Sequence, residues 1–157
     1  MDKRTLLMMA FSGLLIVIMV FSAWYKTELG KKNNVIARIP ADKSCDLQKT
    51  ACSLVVPGGG EVTLSIEPRP IPLVQDISIK VKTSAIDAET IAVDFKGTTM
   101  NMGPNNVTLK THQPGVFTGK GMLPVCIRNS MEWQADVYVQ TSEGIVVVPF
   151  VFVTRKH

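Results

Sequence analysis

The side chains best suited to chemistry in this chain carry sulfur, and they are close together in the sequence. The chain has eight methionines and three cysteines. The four methionines beyond the first twenty residues and one cysteine fall within one short stretch: Met100, Met102, Met122, Cys126 and Met131. Thioethers and thiolates are soft ligands that select Cu(I) over harder cations. The stretch therefore predicts a Cu(I) site with these five residues as candidate metal ligands.

The turn residues of this stretch place the sulfur atoms near the ends of predicted strands. Met100 and Met102 are two residues apart, so an extended chain directs both side chains to the same side. Met122 and Met131 stand beside loops on either side of the segment that holds Cys126. Loops at one end of a β-sandwich converge, and a water-poor copper pocket is one interpretation. Plain packing is the alternative, because methionine fills gaps in cores and free cysteine is commonly buried.

Other kinds of chemistry have less support. A blue-copper site needs two histidines and a cysteine, and the only histidines are His112 and His157. The chain has no Gly-rich phosphate loop, no G-x-S-x-G motif and no H-E-x-x-H motif. Most acidic residues fall at predicted turns and strand edges, where a solvated position is the default. Trp133 follows the inward alternation of its strand and is predicted to be core. We therefore expect a binding or structural protein and no enzyme.

The two remaining cysteines predict a disulfide. Cys45 and Cys52 are seven residues apart, and their loop permits a bond if it folds back. Zinc is an alternative, although its other ligands are not clustered nearby. Cys126 is then the odd cysteine, and a bond from it to either of the other two stays open, because sequence does not fix connectivity.

A long apolar segment near the N terminus predicts a membrane anchor. Thr5–Trp24 carries no charge, and about 20 helical residues span the hydrocarbon core of a bilayer. A cleaved signal peptide is the alternative, but its apolar core is shorter and ends at small residues, whereas Phe21 stands at the −3 place. We divide the chain into an anchor at residues 1–25, a polar tether at 26–33 and an exported domain at 34–157.

The segments around the anchor favour export of the domain. Positive charges on the two sides of the span nearly balance, but only four residues precede it, so the whole domain follows the span. Trp24 and Tyr25 suit an outer membrane interface, and a close cysteine pair suits an oxidising compartment. The predicted location is the bacterial inner membrane, crossed once, with the C-terminal domain in the periplasm.

The charge of the chain is mild. It has 17 basic and 13 acidic residues, a formal net charge of +4. The excess is scattered along the sequence, without a basic helix or a run of lysine and arginine. Nucleic acid is therefore not an expected partner.

Beyond the tether, apolar and polar residues alternate with a period of two, and Pro, Gly and Asn interrupt the pattern. The predicted strands are 34–39, 53–56, 61–66, 76–82, 90–95, 107–111, 116–119, 132–140 and 145–153. Pro57–Gly60 and Ser142–Gly144 are predicted turns, and the prolines of 67–72 place that segment outside a central strand. Residues 42–50 are predicted to form one helical turn capped by Asp42. The predicted fold is all-β, an immunoglobulin-like antiparallel β-sandwich preceded by a single N-terminal transmembrane helix; a cupredoxin-like barrel is the near alternative.

Several segments resemble the YtkA-like and FixH-like domains, which are small exported or membrane-anchored β-sandwich domains of bacteria. The resemblance is carried by Met100–Asn105, Gly115–Gly121, Leu123–Cys126 and Met131–Trp133. It implies an association with copper handling or with assembly of haem–copper oxidases. It also implies a metal role for the same five sulfur residues.

Two hypotheses follow. In the first, the chain is a membrane-anchored periplasmic protein that binds Cu(I), for delivery to a haem–copper oxidase, for exchange with a copper chaperone, or for protection from copper. In the second, it is an assembly module without a metal, which docks on a membrane complex and uses its methionines as an adaptable contact surface.

Overall fold

A computed structural model describes residues 2–32, 34–100, 102–125 and 128–155 of the chain. The described part forms one helix and nine strands. They are α1 (Lys3–Lys32), β1 (Val35–Arg38), β2 (Cys52–Val55), β3 (Glu61–Glu67), β4 (Asp76–Ser84), β5 (Thr90–Gly97), β6 (Asn106–Gln113), β7 (Val116–Met122), β8 (Ser130–Gln140) and β9 (Ile145–Arg155). All nine predicted strands are confirmed, with small shifts at their ends. The chain divides into two compact units, residues 1–34 and 35–157.

The first unit consists of α1. The described side chains on its central turns are exposed, including Phe21 and Trp24, whose ring centroids are 6.2 Å apart. The side chains of residues 5–10 and 27–32 lie outside the description. Over the residues that are described, no helix is both long enough and apolar enough to cross a membrane. The transmembrane anchor therefore stays a prediction.

The second unit is built on one continuous sheet of nine strands, in the order β1-β9-β8-β5-β6-β7-β4-β3-β2. The all-β class of this unit is thereby confirmed. The predicted antiparallel arrangement holds for every neighbouring pair except β1 and β9, which are parallel. The short strand β1 lies along the N-terminal part of β9, from Ile145 to Val147.

Strand β6 joins the two halves of the sheet. Its first half, Asn106–Leu109, pairs with β5, and its second half, from Lys110 onward, pairs with β7. The inward side chains of both halves, from β3 and β4 on one side and from β5, β8 and β9 on the other, belong to one hydrophobic core. The sheet therefore curls around a shared core.

Trp133 lies in that core, as its place in the alternation predicts. Its side chain has no exposed surface, and its Nε1 donates to Thr154 Oγ1 at 2.9 Å. The bond satisfies the one polar group of a buried indole. Phe95 and Phe152, also buried, meet edge to face with ring centroids 6.5 Å apart.

The predicted turns are confirmed. Val56 N donates to Gly60 O at 2.8 Å, which closes the link from β2 to β3. Gly58 and Gly59 have φ values of 98° and 89°, in the region that only glycine adopts without strain. Thr141 N donates to Gly144 O at 2.9 Å between β8 and β9. The proline-rich segment connects β3 to β4, as its missing amide donors require.

The segment before β2 differs in one detail from the prediction. A single turn is present, but it begins at Asp46, whose carbonyl accepts from Lys49 N and Thr50 N at 2.9 and 3.1 Å. The carboxylate of Asp46 also accepts from Gln48 N at 3.0 Å. The prediction that Asp42 caps this turn is therefore wrong, because its carboxylate is engaged earlier, in a local turn with Ser44.

A disulfide closes this segment. Cys45 and Cys52 are bonded, with Cα atoms 5.8 Å apart, and the predicted pairing is confirmed. Cys52 is the first residue of β2 and is buried in the core, so the bond fixes the preceding turn to the sheet. Cys126 lies outside the described residues.

Candidate functional site

Three of the four candidate methionines meet at the end of β5. That strand ends at Gly97. A Cβ atom on Gly97 would overlap the terminal methyl of Met131, lie 2.6 Å from the carbonyl oxygen of Met100, and lie 3.3 Å from Cγ of Met102. The three residues therefore surround one glycine, and the missing side chain permits their approach. We call these three residues, with Gly97, the methionine cluster.

The three methionines of the cluster differ in their exposure to solvent. Met131 is 2% exposed, whereas Met100 and Met102 are half-buried against the core. Thr99 Oγ1 is 3.6 Å from Met131 Sδ, within reach of a weak hydrogen bond to sulfur. The cluster thus has one buried methionine and two that are nearer the surface.

Hydrogen bonds hold the loop that carries Met100 and Met102. Thr98 N and Thr98 Oγ1 both donate to the carbonyl of Glu132, at 3.0 and 3.3 Å. At the other end of the loop, the carbonyl of Asn105 accepts from Phe95 N at 3.0 Å. Both ends are therefore tied to the sheet.

A surface depression of about 570 Å3 opens beside the cluster. Three residues of β5 and six residues of the loop that follows line the depression: Asp94, Lys96, Gly97, Thr98, Thr99, Met100, Met102, Gly103 and Pro104. A small ligand can therefore approach the two outer methionines from solvent. A carboxylate and an ammonium group share the wall with them.

The other two predicted ligands are not part of the described cluster. Met122 ends β7, and its side chain is 48% exposed. Its backbone is joined to the methionine loop by a 3.0 Å bond from Asn105 Nδ2 to the Met122 carbonyl. Cys126 is outside the described residues, as is His157. His112 is exposed, in β6.

A second group of residues, which the sequence interpretation missed, lies behind the depression. Asp136, in the middle of β8, has a fully buried side chain. Arg38 Nη2 donates to its two carboxylate oxygens at 3.1 and 2.9 Å, and Lys96 Nζ donates at 3.1 Å. Gln134 Nε2 donates at 2.7 Å. The expectation that acidic residues are solvated is wrong at this position, because side chains from β1 and β5 cover the carboxylate.

Lys96 connects this polar network to the depression. Its ammonium group lies 3.0 Å from Asp94 Oδ2 and 3.1 Å from the Tyr138 hydroxyl, and it stands 5.7 Å from the centre of that ring. Desolvation lowers the pKa of Lys96, but hydrogen bonds with Tyr138, Asp94 and Asp136 outweigh it and raise the pKa. Lys96 is therefore a permanent cation.

The carboxylate of Asp136 is a permanent anion at neutral pH. Burial raises its pKa, but hydrogen bonds from Gln134, Arg38 and Lys96 outweigh burial, so the pKa is below the usual range. The bond to Asp136 likewise raises the pKa of Arg38. The second oxygen of Asp94, Oδ1, is buried without a partner among the described residues.

The sequence pattern of β8 indicated part of this network. Gln134, Asp136 and Tyr138 alternate with the core residues of β8, which places them on the outward face. The alternation does not say that β1 packs against β9 and delivers Arg38 to that face. Only the strand order brings the opposite charges together.

The described residues contain no group of three His, Cys, Asp or Glu side chains that could hold a metal ion. The candidate ligands that remain in this part of the chain are the thioethers of the methionine cluster. No family model, curated protein or solved structure matches the chain. The resemblance to YtkA-like and FixH-like domains therefore remains a prediction.

Proposed function

We propose that the chain is a membrane-anchored periplasmic protein that binds Cu(I) through its methionine cluster. The observation that carries the proposal is the meeting of Met100, Met102 and Met131 around Gly97. The side chains of Met102 and Met131 approach the same glycine, and Met100 lies on the same loop as Met102. Their thioethers would form a soft ligand set, which suits Cu(I) and lacks the thiolate, imidazole and oxygen ligands of Zn²⁺, Ca²⁺ and Mg²⁺ sites. The buried position of Met131 also limits competition by water.

Cys126 completes the proposed ligand set as a thiolate. It follows β7 by a few residues and precedes β8, the strand that carries Met131. Metal binding by a thiol releases a proton, so the affinity should rise with pH as the thiolate becomes available. Met122 is the weakest of the five candidates, because its side chain is exposed at the end of β7.

Membrane anchorage and periplasmic location belong to the same proposal. They rest on the uncharged run from Thr5 to Trp24, and the disulfide between Cys45 and Cys52 supports an oxidising compartment. The curled sheet around one core is consistent with an immunoglobulin-like sandwich preceded by the anchor. Copper delivery to a haem–copper oxidase or exchange with a copper chaperone would fit this location.

The decisive experiment is a competition titration of the full chain in detergent with Cu(I) against a chromogenic chelator, under anaerobic reducing conditions. We expect one equivalent bound with a dissociation constant below about 1 µM. Met102→Leu keeps the volume and removes the sulfur, and it should weaken binding by at least about tenfold. Met122→Leu is the matched control and should change the affinity little. Equal affinities in the two variants, or no binding by the natural chain, would remove the copper proposal.

A second candidate function is docking on a membrane complex without a metal. A groove of about 980 Å3 runs between the proline-rich segment and the end of β9. Val74, Val125 and Val153 line it and are 56%, 49% and 42% exposed. An exposed apolar groove is a common feature of protein contact sites. Val74→Glu should reduce co-purification of a membrane partner and leave Cu(I) binding unchanged, whereas an unchanged set of co-purifying proteins would count against this function.

A further inference from the structure

Four lysines from three strands lie on one face of the sheet. Lys80 and Lys82 belong to β4, Lys110 to β6 and Lys120 to β7, and these three strands are neighbours. All four side chains are exposed. We call these four residues the lysine face. The scattered positive charge of the sequence is therefore concentrated by the fold.

The strand register sets the dimensions of the lysine face. Lys80 is opposite Thr118, and Thr118 is opposite Lys110, so these residues form one row across three strands. Lys82 and Lys120 flank that row on its two sides along the strand direction. With strands about 4.8 Å apart and about 3.3 Å per residue, the four side chains emerge from an area of about 10 by 13 Å.

The lysine face is not neutralised by neighbouring carboxylates. Among the described residues, none of the four lysines takes part in an ion pair. Three acidic residues on the same face stand at its margin: Glu61 and Glu67 are the first and last residues of β3, and Asp76 is the first residue of β4. Glu67 is already paired with Arg69 at 3.3 Å. An uncompensated patch of this kind creates a positive potential that attracts an anionic partner.

The residues between the lysines indicate what kind of anion fits. Ser65, Ser78 and Thr118 fill the rows, and no aromatic side chain stands among them. Protein interfaces are enriched in aromatic residues and arginine and depleted in lysine and serine. Lysine acts as a compact point charge without geometric demands, which suits a mobile layer of lipid headgroups.

We infer that the lysine face binds the surface of a bilayer that contains anionic phospholipid. The inference rests on the proposed membrane anchorage, because an anchored domain is always close to a bilayer. Each lysine near an anionic surface favours the bound state about fivefold, so four together favour it by several hundredfold at low salt. Because the ammonium groups are exposed, salt should weaken the contact strongly.

Site-resolved acylation of lysines tests the inference in the full chain. The chain is reconstituted in nanodiscs of phosphatidylcholine alone, and in nanodiscs of phosphatidylcholine and phosphatidylglycerol in equal amounts. Acylation rates are then measured by mass spectrometry. At the lysine face we expect rates at least about fivefold lower in the anionic nanodiscs, restored by high salt. Lys43 and Lys49, exposed on another part of the domain, are the internal controls and should react equally in both.

Replacement of lysine by glutamine tests whether the protection depends on the positive charge of the lysine face. Lys80→Gln with Lys120→Gln should abolish the protection of the remaining Lys82 and Lys110, whereas Lys49→Gln should leave it intact. Equal rates in the two lipid compositions would overturn the inference. Protection by soluble polyglutamate without protection by anionic lipid would also overturn it, because the lysine face would then suit an acidic protein.

The experiment distinguishes an error in the proposed membrane anchorage from an error in the proposed lipid binding by the lysine face. A chain without a membrane anchor would not enter either kind of nanodisc. The same acylation measurement, with anionic vesicles added to the chain in solution, would then decide the lysine face alone. Protection at the four lysines would support it, and its absence would overturn it.

Discussion

Replacement of Asp136 by asparagine tests whether the buried network fastens β1 to the sheet. The carboxylate of Asp136 accepts hydrogen bonds from Arg38, Lys96 and Gln134, and its side chain is fully buried. Asparagine keeps the shape and one acceptor oxygen, but it removes the charge. Arg38 and Lys96 then lose their shared anion while the packing around the site is preserved.

The size of the effect follows from the exposure of the two cations. Removing one partner of a fully buried ion pair costs about 3–5 kcal/mol, because a charge is left without compensation. The side chains of Arg38 and Lys96 are 50% and 46% exposed, so both can regain water. We therefore expect a loss of about 2–3 kcal/mol in the free energy of unfolding for Asp136→Asn. In a domain of this size, that corresponds to a fall of about 8–12 °C in melting temperature.

Urea unfolding of the full chain in detergent, followed by the fluorescence of the buried Trp133, measures this loss. A Trp24→Phe background removes the second tryptophan from the signal. Asp76→Asn is the matched control, because Asp76 is an exposed strand residue, and it should leave the unfolding midpoint unchanged. If Asp136→Asn costs less than about 0.5 kcal/mol, the network contributes nothing that water does not replace, and the reasoning is refuted.

Three further predictions concern other parts of the same unit. Because the pKa of Asp136 is lowered by folding, its contribution should be complete above about pH 5 and decrease progressively below about pH 4, as the pH approaches the lowered pKa; the difference in stability between the natural chain and Asp136→Asn should shrink over that range. Gly97→Ala should cost about 1–3 kcal/mol and weaken Cu(I) binding, since the added methyl displaces Met131 and the loop; unchanged binding in the titration would contradict the placement of the site at Gly97. Cys45→Ser with Cys52→Ser should cost about 2–3 kcal/mol in urea unfolding, from the entropy of the short loop that the disulfide closes, and a reductant should destabilise only the natural chain.

The strands were predictable because their information is local. In β3, polar Thr63 and Ser65 stand between Val62, Leu64 and Ile66, which are all buried. That alternation is written in the sequence and needs no knowledge of the partner strand. The same holds for the glycine turn before β3, where a positive φ demands glycine.

The pairing of strands was not predictable in the same way. Nothing in the residues of β1 says that it lies parallel to β9, yet that placement brings Arg38 to Asp136. The lysine face likewise depends on β7 lying between β4 and β6. Charges such as those of Arg38 and Asp136, 98 residues apart in sequence, become neighbours only through long-range register, which a single sequence does not encode locally.

The candidate site was predicted in part. The methionines beyond residue 20 all lie in one short stretch, and this observation identified Met100, Met102 and Met131 as candidates. The structure brings these three residues together around Gly97. Met122 was included on the same ground, although the outward position at the end of β7 exposes its side chain. The sequence contained no sign that Gly97 is the centre of the cluster, because a glycine at a strand end is usually explained by the turn that follows.

The division of β6 between two partners has a consequence for cooperativity. Residues Asn106–Leu109 lose their hydrogen bonds if β5 departs, and the residues from Lys110 onward lose theirs if β7 departs. If either half of the sheet unfolds, part of β6 loses its hydrogen bonds, although the rest of β6 still pairs with the other half. Both halves also contribute side chains to one core, so unfolding of either half exposes the core of the other. The sheet should therefore gain and lose its order as a single unit, with one transition shared by all probes, and the consecutive strands β5, β6 and β7 are the natural place for that order to begin.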